Sequence, residues 1–255
     1  MQADVIIIGA GAAGLMAAKE LAESGKKVAV LEARNRVGGR INTIQTGGFS
    51  QPVETGAEFI HGNLELTLQL LKEAGLKTLP AERAAWRSKE GRLNQQEDFI
   101  ENAGALMQAL DKQKEESSVA TFLNTHFKDR EHADLKKSVL GYVEGYYAGN
   151  PAQASILALK EEWSQEEAPQ HRVHGGYTKL MQWLYEKCVA SGVVFHFSQP
   201  VKTCTWGFEK VEIESTTGAY FTGTKLITTI PVSLLQQPQT AATITFKPNL
   251  PEYEA

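Results

Sequence analysis

The chain of 255 residues has only two cysteines, Cys188 in a predicted helix and Cys204 in a predicted strand. So few thiols cannot form a disulfide framework. Their separation favours reduced, packed side chains in a cytoplasmic protein over a disulfide between them. No Cys/His cluster has zinc spacing, and no G-x-S-x-G motif marks a serine nucleophile. The sequence therefore predicts no metal centre and no hydrolase of that type.

Long apolar runs and an excess of positive charge are also missing. No stretch of eighteen apolar residues occurs, so no membrane-spanning helix is predicted. The 30 acidic residues outnumber the 26 lysines and arginines, for a net charge of −4. Since no basic stripe appears outside one arginine-rich loop, neither a nucleic-acid nor a membrane partner is expected. The length of 255 residues suits one large or two modest folded domains, and the 42% hydrophobic content is typical of an ordinary soluble protein.

The most informative segment is "DVIIIGAGAAGLMAAKELAESGKKVAVLEARNRVGGR" at positions 4–40. Four β-branched residues at 5–8 predict a strand buried on both faces. Gly9, Gly11 and Gly14 follow with G-x-G-x-x-G spacing and open a predicted helix over 12–23. A second strand then ends at Glu32, eighteen residues past Gly14. Strand, turn, helix, strand and acid in this order predict an adenine-dinucleotide site.

Each part of this motif has a physical role in holding a dinucleotide. Gly9 permits a tight turn, Gly11 lets the backbone approach a pyrophosphate, and Gly14 allows close packing of helix and strand. The helix N-terminus offers unpaired N–H groups and a positive dipole end to the phosphates. Glu32 can accept hydrogen bonds from a ribose diol, and its charge would repel a 2′-phosphate.

A second phosphate-gripping loop, "ARNRVGGR", follows Glu32 directly. Its adjacent glycines expose bare backbone, and Arg34, Arg36 and Arg40 can neutralise phosphate charge. At this point the sequence resembles the flavin-containing amine oxidase family, which carries an E-A-R-x-R-x-G-G-R run that wraps FAD. "ETGAEFIHG" at 54–62 is similar to the family segment that passes beside the flavin ring, although Glu54 stands where the family usually has Asp.

The resemblance extends along the whole chain and implies FAD as the cofactor. It assigns FAD contacts to loop glycines, to the acid and arginines, to the flavin-side segment and to the strands that return to the sheet. The residues so implied are Gly9, Gly11, Ala13, Gly14, Glu32, Ala33, Arg34, Gly38, Gly39, Arg40, Gly56, Ala57, Glu58, Val201, Thr229 and Pro231. We expect Gly56 and Ala57 to serve by being small, so that the isoalloxazine ring meets backbone.

His61 and Glu58 are the substrate-side candidates, because both flank the flavin-side turn; the catalytic residues themselves stay unassigned. The alternative for His61 is a hydrogen bond within the turn. The alternative for Glu58 is a solvated or internally paired carboxylate.

The predicted fold is α/β: a Rossmann-like FAD-binding fold, with a parallel sheet plus a β-meander, a helical insertion and the start of a substrate domain. Residues 1–80 and 171–231 are expected to form the FAD-binding domain. Apolar spacing of three to four residues predicts that 81–170 is a mostly helical insertion forming one wall of the substrate region. Strands are predicted near 201–206, 209–215 and 219–222, and separately in "KLITTIP".

Residues 232–255 are expected to begin a truncated substrate domain, since family members continue well beyond this point. The chain is therefore interpreted as a fragment rather than a natural half-protein. A missing C-terminal segment or a partner chain would complete it.

The predicted activity is FAD-dependent oxidation of an amine by hydride transfer to flavin, with oxygen as acceptor. The amine could be a polyamine, a monoamine or an amino acid. One alternative is a flavin-dependent desaturase or protoporphyrinogen-type oxidase, although "GAEFIHG" favours the amine oxidases. Another is a non-catalytic FAD-binding module.

Overall fold

A computed structural model describes residues 2–81, 85–89, 91–96, 100, 102–164, 169–235 and 243–250. The chain divides into two compact units. The first unit comprises Met1–Pro80 and Gln170–Ala255, and the second comprises Ala81–Pro169. Among the described residues, no helix combines the length and apolar character needed to cross a membrane.

The described helices and strands alternate in the first unit, whereas helices dominate the second. The helices are α1 Ala12–Glu23, α2 Glu65–Glu73, α3 Ala103–Lys112, α4 Val119–His126, α5 Ala133–Gly145, α6 Ile156–Ser164, α7 Thr178–Ala190 and α8 Val232–Leu235. The strands are β1 Gln2–Ile8, β2 Val28–Leu31, β3 Thr43–Ile44, β4 Val53–Glu54, β5 Phe59–His61, β6 Thr78–Pro80, β7 Ala85–Lys89, β8 Arg92–Gln96, β9 Gln170–Val173, β10 Val194–His196, β11 Val201–Trp206, β12 Val211–Ser215, β13 Tyr220–Thr228 and β14 Thr245–Lys247.

A seven-stranded sheet in the order β10-β2-β1-β13-β12-β11-β14 organises the first unit. Strands β10, β2, β1 and β13 run parallel to one another, and β11, β12 and β13 form an antiparallel meander. The nucleotide motif therefore lies on an interior strand, since β1 has β2 on one side and β13 on the other. This sheet confirms the predicted α/β fold, with its parallel part and its meander.

Residues 5–8 of β1 alternate between two hydrophobic clusters. Val5 and Ile7 pack with residues of α1 and α7, whereas Ile6 and Ile8 pack with residues of the meander. This two-sided burial explains the continuous β-branched run. Cys188 and Cys204 belong to the first and second of these clusters respectively, and both are free, with burial raising each thiol pKa to about 11.

The meander differs from its predicted strands in one respect. Residues 219–222 and "KLITTIP" were expected as two strands, but Tyr220–Thr228 forms one. Gly223 lies between the two expected strands, but it is buried and paired with Ala3 of β1. A Cβ at Gly223 would lie 2.9 Å from Ile6 Cγ1, so the glycine makes room for the core of β1.

The C-terminal part of the chain also adds a strand to this sheet. Strand β14 pairs in parallel with β11, with Cys204 opposite Phe246. Phe246 is buried with the meander residues. The segment assigned from sequence to the start of a substrate domain thus contributes its described strand to the first unit.

The second unit contains a hairpin that the helical prediction for 81–170 missed. Strands β7 and β8 pair antiparallel around Gly91, whose φ of +76° suits a glycine turn. Trp86 and Leu93 are exposed, so their apolar character does not mark a buried helix face. Helices begin at Ala103, and α3 to α6 bury a separate hydrophobic cluster.

Candidate functional site

The nucleotide loop joins the end of β1 to the start of α1. Gly9 has a φ of +104°, in the region that favours glycine. A Cβ at Gly14 would collide with the Gly9 carbonyl oxygen, so helix and turn can be this close only without a side chain there. Thr229 closes the same turn, because its amide and its hydroxyl both donate to Ile8 O at 2.9 Å.

The outer side of this loop is open where a phosphate would approach. The nearest protein atom to a Cβ built on Gly11 is Gly39 Cα, at 4.0 Å. Helix α1 has no side-chain cap and no acidic residue in its first turn, which includes the exposed Ala13. No side chain of the described residues therefore caps the first N–H groups of α1, and these donors can bind an anion at the helix N-terminus.

Glu32 joins the two glycine loops through its carboxylate. The Glu32 residue is only 7% exposed. Its Oε2 accepts the Ala10 amide at 2.8 Å, and its Oε1 accepts the Arg34 amide at 2.9 Å. Each carboxylate oxygen has a second lone pair, so a ribose hydroxyl can still be accepted. The acid is thus held in place by backbone donors from both sides of the site.

The arginine loop lies directly against the first loop. Gly38 donates its amide to Ala10 O at 2.8 Å, and Gly11 and Gly38 form a parallel bridge. Gly38 and Gly39 have φ values of +99° and +56°. The double glycine therefore gives the loop a backbone path that other residues rarely adopt, next to the position expected for a pyrophosphate.

The three arginines of this loop have different surroundings. Arg36 is half-buried and binds its own loop; its acceptors are the carbonyl oxygens of Val37, Gly39 and Ile41, at 3.0, 3.0 and 3.4 Å. Burial and the nearby Arg34 lower the pKa of Arg36. Arg34 is exposed and donates to Gly39 O at 3.1 Å. Within the described part of the chain, the exposed Arg40 guanidinium has no hydrogen-bond or ion-pair partner, so it is available to an anion.

The flavin-side segment is attached to the arginine loop through its backbone. Ala57 donates its amide to Arg40 O at 3.0 Å, and a Cβ at Gly56 would collide with that same oxygen. The small size of Gly56 is thus required by a protein carbonyl, whereas the sequence interpretation attributed it to the flavin ring alone. Ala57 is exposed and remains a candidate for ring contact.

Glu54 has a structural role that the sequence analysis missed. Its Oε1 accepts the amide of Tyr177 at 2.7 Å, and its Oε2 accepts the Thr43 hydroxyl at 2.8 Å. Thr43 and Thr178 each accept the other's amide on a side-chain oxygen, at 3.0 and 2.7 Å. Glu54 therefore places a negative charge at the start of α7, where the helix dipole favours it. The only indication of this role in the sequence was that Glu54 stands where the family usually has Asp.

Glu58 directly precedes β5 and His61 is its last residue, and β5 pairs with β9. Glu58 Oε1 forms an ion pair with Arg172 Nε at 2.8 Å, and the Arg172 guanidinium lies 4.8 Å from the centre of the Phe59 ring. Gln170 Nε2 contacts His61 Nδ1 at 2.8 Å. For Glu58, the structure has the internally paired carboxylate that the sequence left open as an alternative.

A cleft of about 390 Å³ borders this strand pair. Its lining includes both Glu54 and Glu58, together with Arg172, Leu79 and Gly176. The Glu54 carboxylate accepts the Tyr177 amide at the start of α7, and the Glu58 carboxylate forms an ion pair with Arg172. Neither acid is therefore an isolated charge in the cleft.

The remaining cofactor candidates come from the C-terminal part of the first unit. Val201 is buried in the same cluster as Leu31. Just before it, Gln199 donates its amide to Glu32 O at 2.9 Å, so this segment lies beside the end of β2. Ala33 is exposed beside Glu32. Pro231 directly precedes α8 and lies two residues past Thr229. The fold thus brings Val201 and Thr229 to the strand ends that hold Glu32 and Gly9.

The described residues include one group whose atoms could together hold a metal ion. Asp129, Glu131 and His132 place their ligand atoms within 4.8 Å of one another in the second unit. Both acids are exposed, and none of the three belongs to the nucleotide site.

Comparison with known proteins gives matches along essentially the whole chain. A profile of the family described as flavin containing amine oxidoreductase matches residues 12–255. Polyamine oxidase 4 of Oryza sativa subsp. japonica is 26% identical over an alignment of 281 residues, covering 98% of this chain and 55% of that protein. A putative flavin-containing monoamine oxidase, AofH, of Mycobacterium tuberculosis is 44% identical over 80 residues, 31% of this chain and 17% of that protein.

Solved structures share the fold at lower identity. Cyclohexylamine oxidase from Brevibacterium oxydans IH-35A has a TM-score of 0.78 at 21% identity, covering 98% of this chain and 61% of its own. Wild-type putrescine oxidase bound to putrescine has a TM-score of 0.74 at 23% identity, with 98% and 62% covered. The chain thus spans about half the length of the curated full-length relatives it matches, such as the rice polyamine oxidase at 55%.

Proposed function

The chain belongs to the flavin-containing amine oxidoreductase family, and from that premise we propose that it holds the adenosine and pyrophosphate end of FAD in an amine-oxidising flavoenzyme. The observation that carries the proposal is the joining of two glycine loops by one buried carboxylate, Glu32. The residues fit the cofactor, since a shielded acceptor, an open glycine cradle and a free guanidinium occur together.

Each group has a separate task toward FAD in this proposal. Glu32 accepts a ribose hydroxyl of the adenosine, and Gly11 with the first amides of α1 meets the pyrophosphate. Arg40 and Arg34 neutralise phosphate charge, while Arg36 keeps the loop in shape through its three carbonyl acceptors. When bound, the flavin supplies the hydride acceptor for the reaction.

On the substrate side, the chain contributes His61 and the Glu58–Arg172 pair. A neutral amine is the reactive form, so a site without unbalanced acids favours it. Arg172 balances the Glu58 charge at 2.8 Å, which supports this arrangement. We propose a polyamine, a monoamine or an amino acid as substrate, with oxygen as electron acceptor; two of the relatives are named for polyamine and monoamine oxidation.

We also propose that different segments of the chain have different functions. Residues 1–80 and 171–231 bind FAD, 81–170 form the substrate-side insertion, and the substrate domain begins within 232–255. The two free, buried thiols support a cytoplasmic location.

A second candidate function is supported by the coverage of the relatives. Because the chain spans 55% of a full-length polyamine oxidase, it could act as an FAD-binding module that turns over only with a further segment or a partner chain. Such a module would bind FAD but oxidise amines slowly, because a flavin left open to water has the fixed dipoles that favour hydride departure screened.

The test is reconstitution of the purified chain with FAD. Flavin binding would be followed by fluorescence, and anaerobic flavin bleaching would be followed with a diamine, a monoamine and an amino acid. Arg40→Gln should weaken FAD binding, whereas Arg130→Gln, an exposed arginine of the second unit, should not. Binding of NAD without FAD would refute the proposed cofactor. Bleaching on the order of 1–100 per second would instead show that the chain builds a complete active site.

A further inference from the structure

His61 and Gln170 are held opposite each other by the pairing of β5 with β9. The strand register places His61 against Gln170 and Phe59 against Arg172. Between them, Ile60 is fully buried and fixes the strand against the core of the first unit. The side chains of a directly opposed pair lie on the same face of a sheet, so the contact between them follows from the register.

The contact between these side chains indicates which imidazole nitrogen carries the proton. Gln170 Nε2 lies 2.8 Å from His61 Nδ1. A carboxamide nitrogen only donates, so Nδ1 must present its lone pair. In a neutral imidazole the proton is then on Nε2.

The other nitrogen of His61 is left available. The residue is exposed, and the Phe59 ring meets its ring edge-on at 6.1 Å between centres. Among the described residues, Nε2 has no hydrogen-bond partner. It is therefore the atom that a ligand of this strand pair would meet.

We propose that Gln170 is a positioning residue that holds neutral His61 as its Nε2–H tautomer, so that the exposed nitrogen is a proton donor. This inference rests on the proposed function only in taking His61 to face the substrate. The group recognised there is then a hydrogen-bond acceptor, namely the lone pair of an uncharged amine or a carbonyl oxygen. An ammonium group, which only donates, would meet another donor.

The tautomer can be measured on the 255-residue chain without cofactor or substrate. Long-range ¹H–¹⁵N correlation spectra, recorded at about pH 8.5 where histidine is ordinarily neutral, separate protonated from unprotonated ring nitrogens. His61→Asn identifies the His61 signals among the six histidines. We expect Nδ1 of His61 to appear unprotonated and Nε2 protonated.

The decisive variant is Gln170→Glu, because a carboxylate only accepts and requires the proton on Nδ1. We expect the Nδ1 and Nε2 signals to exchange their protonated and unprotonated positions. Gln170→Leu removes the partner and should leave a mixture. Gln108→Glu, an exposed position on α3, controls for the added charge and should leave His61 unchanged.

Three results would overturn the inference: a wild-type proton on Nδ1, no change in Gln170→Glu, or the same change in Gln108→Glu. The Ile60 amide signal reports whether the strand pair stays folded in each variant. Failure of FAD binding, measured separately by fluorescence, would refute the proposed function and leave the tautomer result standing.

Discussion

Replacement of Glu32 by alanine should weaken both the fold and the cofactor site, by separable amounts. The carboxylate accepts two backbone amides, from Ala10 at 2.8 Å and from Arg34 at 2.9 Å. Ala10 is fully buried, so its amide cannot turn to water when the acceptor is lost. Glu32→Ala therefore removes a structural bridge as well as the ribose ligand that we propose.

The magnitude follows from these two contacts. A hydrogen bond to a charged group contributes about 1.5–3 kcal/mol, and an ordinary one about 1 kcal/mol. With the buried amide taken at the higher value and the half-buried one at the lower, the unfolding free energy should fall by about 2–4 kcal/mol. That corresponds to about 5–15 °C in Tm for a chain of this size. Loss of the ribose contact should raise the Kd for FAD about 10- to 150-fold.

Two assays distinguish these effects. Urea unfolding of the cofactor-free chain measures the structural part, and FAD fluorescence titration at low urea measures the ligand part. Glu32→Gln keeps one carbonyl oxygen and should lose less stability than Glu32→Ala. Glu20→Ala is the control, because Glu20 is exposed and, among the described residues, its carboxylate is bound only by Lys19, at 3.3 Å.

The loss of stability and the loss of FAD affinity can be tested independently of each other. An unfolding free energy within 0.5 kcal/mol of wild type, the usual scatter for surface substitutions, would show that the two amides do not depend on Glu32. An unchanged Kd for FAD in a folded variant would show that the carboxylate does not bind the ribose.

Three further changes test other parts of the site. Gly14→Ala should destabilise the chain by at least about 2 kcal/mol in urea unfolding, because its Cβ would strike the Gly9 carbonyl. As a control, a Cβ at Gly141 in α5 meets no atom within 4 Å, so Gly141→Ala should stabilise the chain by about 0.5–1 kcal/mol. Equal effects of the two substitutions would refute the packing argument. Arg40→Gln should raise the Kd for FAD about tenfold or more at unchanged Tm, and a lower Tm instead would make Arg40 structural. Glu54→Gln should lower the unfolding free energy by about 1–2 kcal/mol, measured in urea, and no change would exclude the link to α7.

The parts of the fold that the sequence predicts best are those specified by local chemistry. Gly9, Gly14 and Glu32 are separated by short, fixed spacings. Gly9 has a positive φ, a Cβ at Gly14 would strike the Gly9 carbonyl, and Glu32 accepts the Ala10 amide. The helix of the nucleotide motif begins at Ala12 and ends at Glu23, as predicted. Local sequence was sufficient here because turn, helix and acid all act within one βαβ unit.

The missed features depend on partners distant in sequence. The continuity of β13 at Gly223 depends on its packing against Ile6, and the residues of β14 pair with residues 42 positions earlier in the chain. The role of Glu54 requires α7, whose Tyr177 lies 123 residues away. The different surroundings of Arg36 and Arg40 also depend on the fold, because the Arg36 guanidinium reaches loop carbonyls whereas the described residues give the Arg40 guanidinium no partner.

The place of β13 beside β1 has a consequence for how the chain is synthesised. Ile8 pairs with Thr228, and the Thr229 hydroxyl reaches back to Ile8 across 221 positions. A ribosome must therefore synthesise the chain as far as Thr228 before the first strand gains its second neighbour. Until then β1 presents an open, apolar strand edge, the kind of surface on which nascent chains aggregate. We expect polypeptides that stop before residue 220 to depend on chaperones for solubility, even though they contain the complete glycine motif.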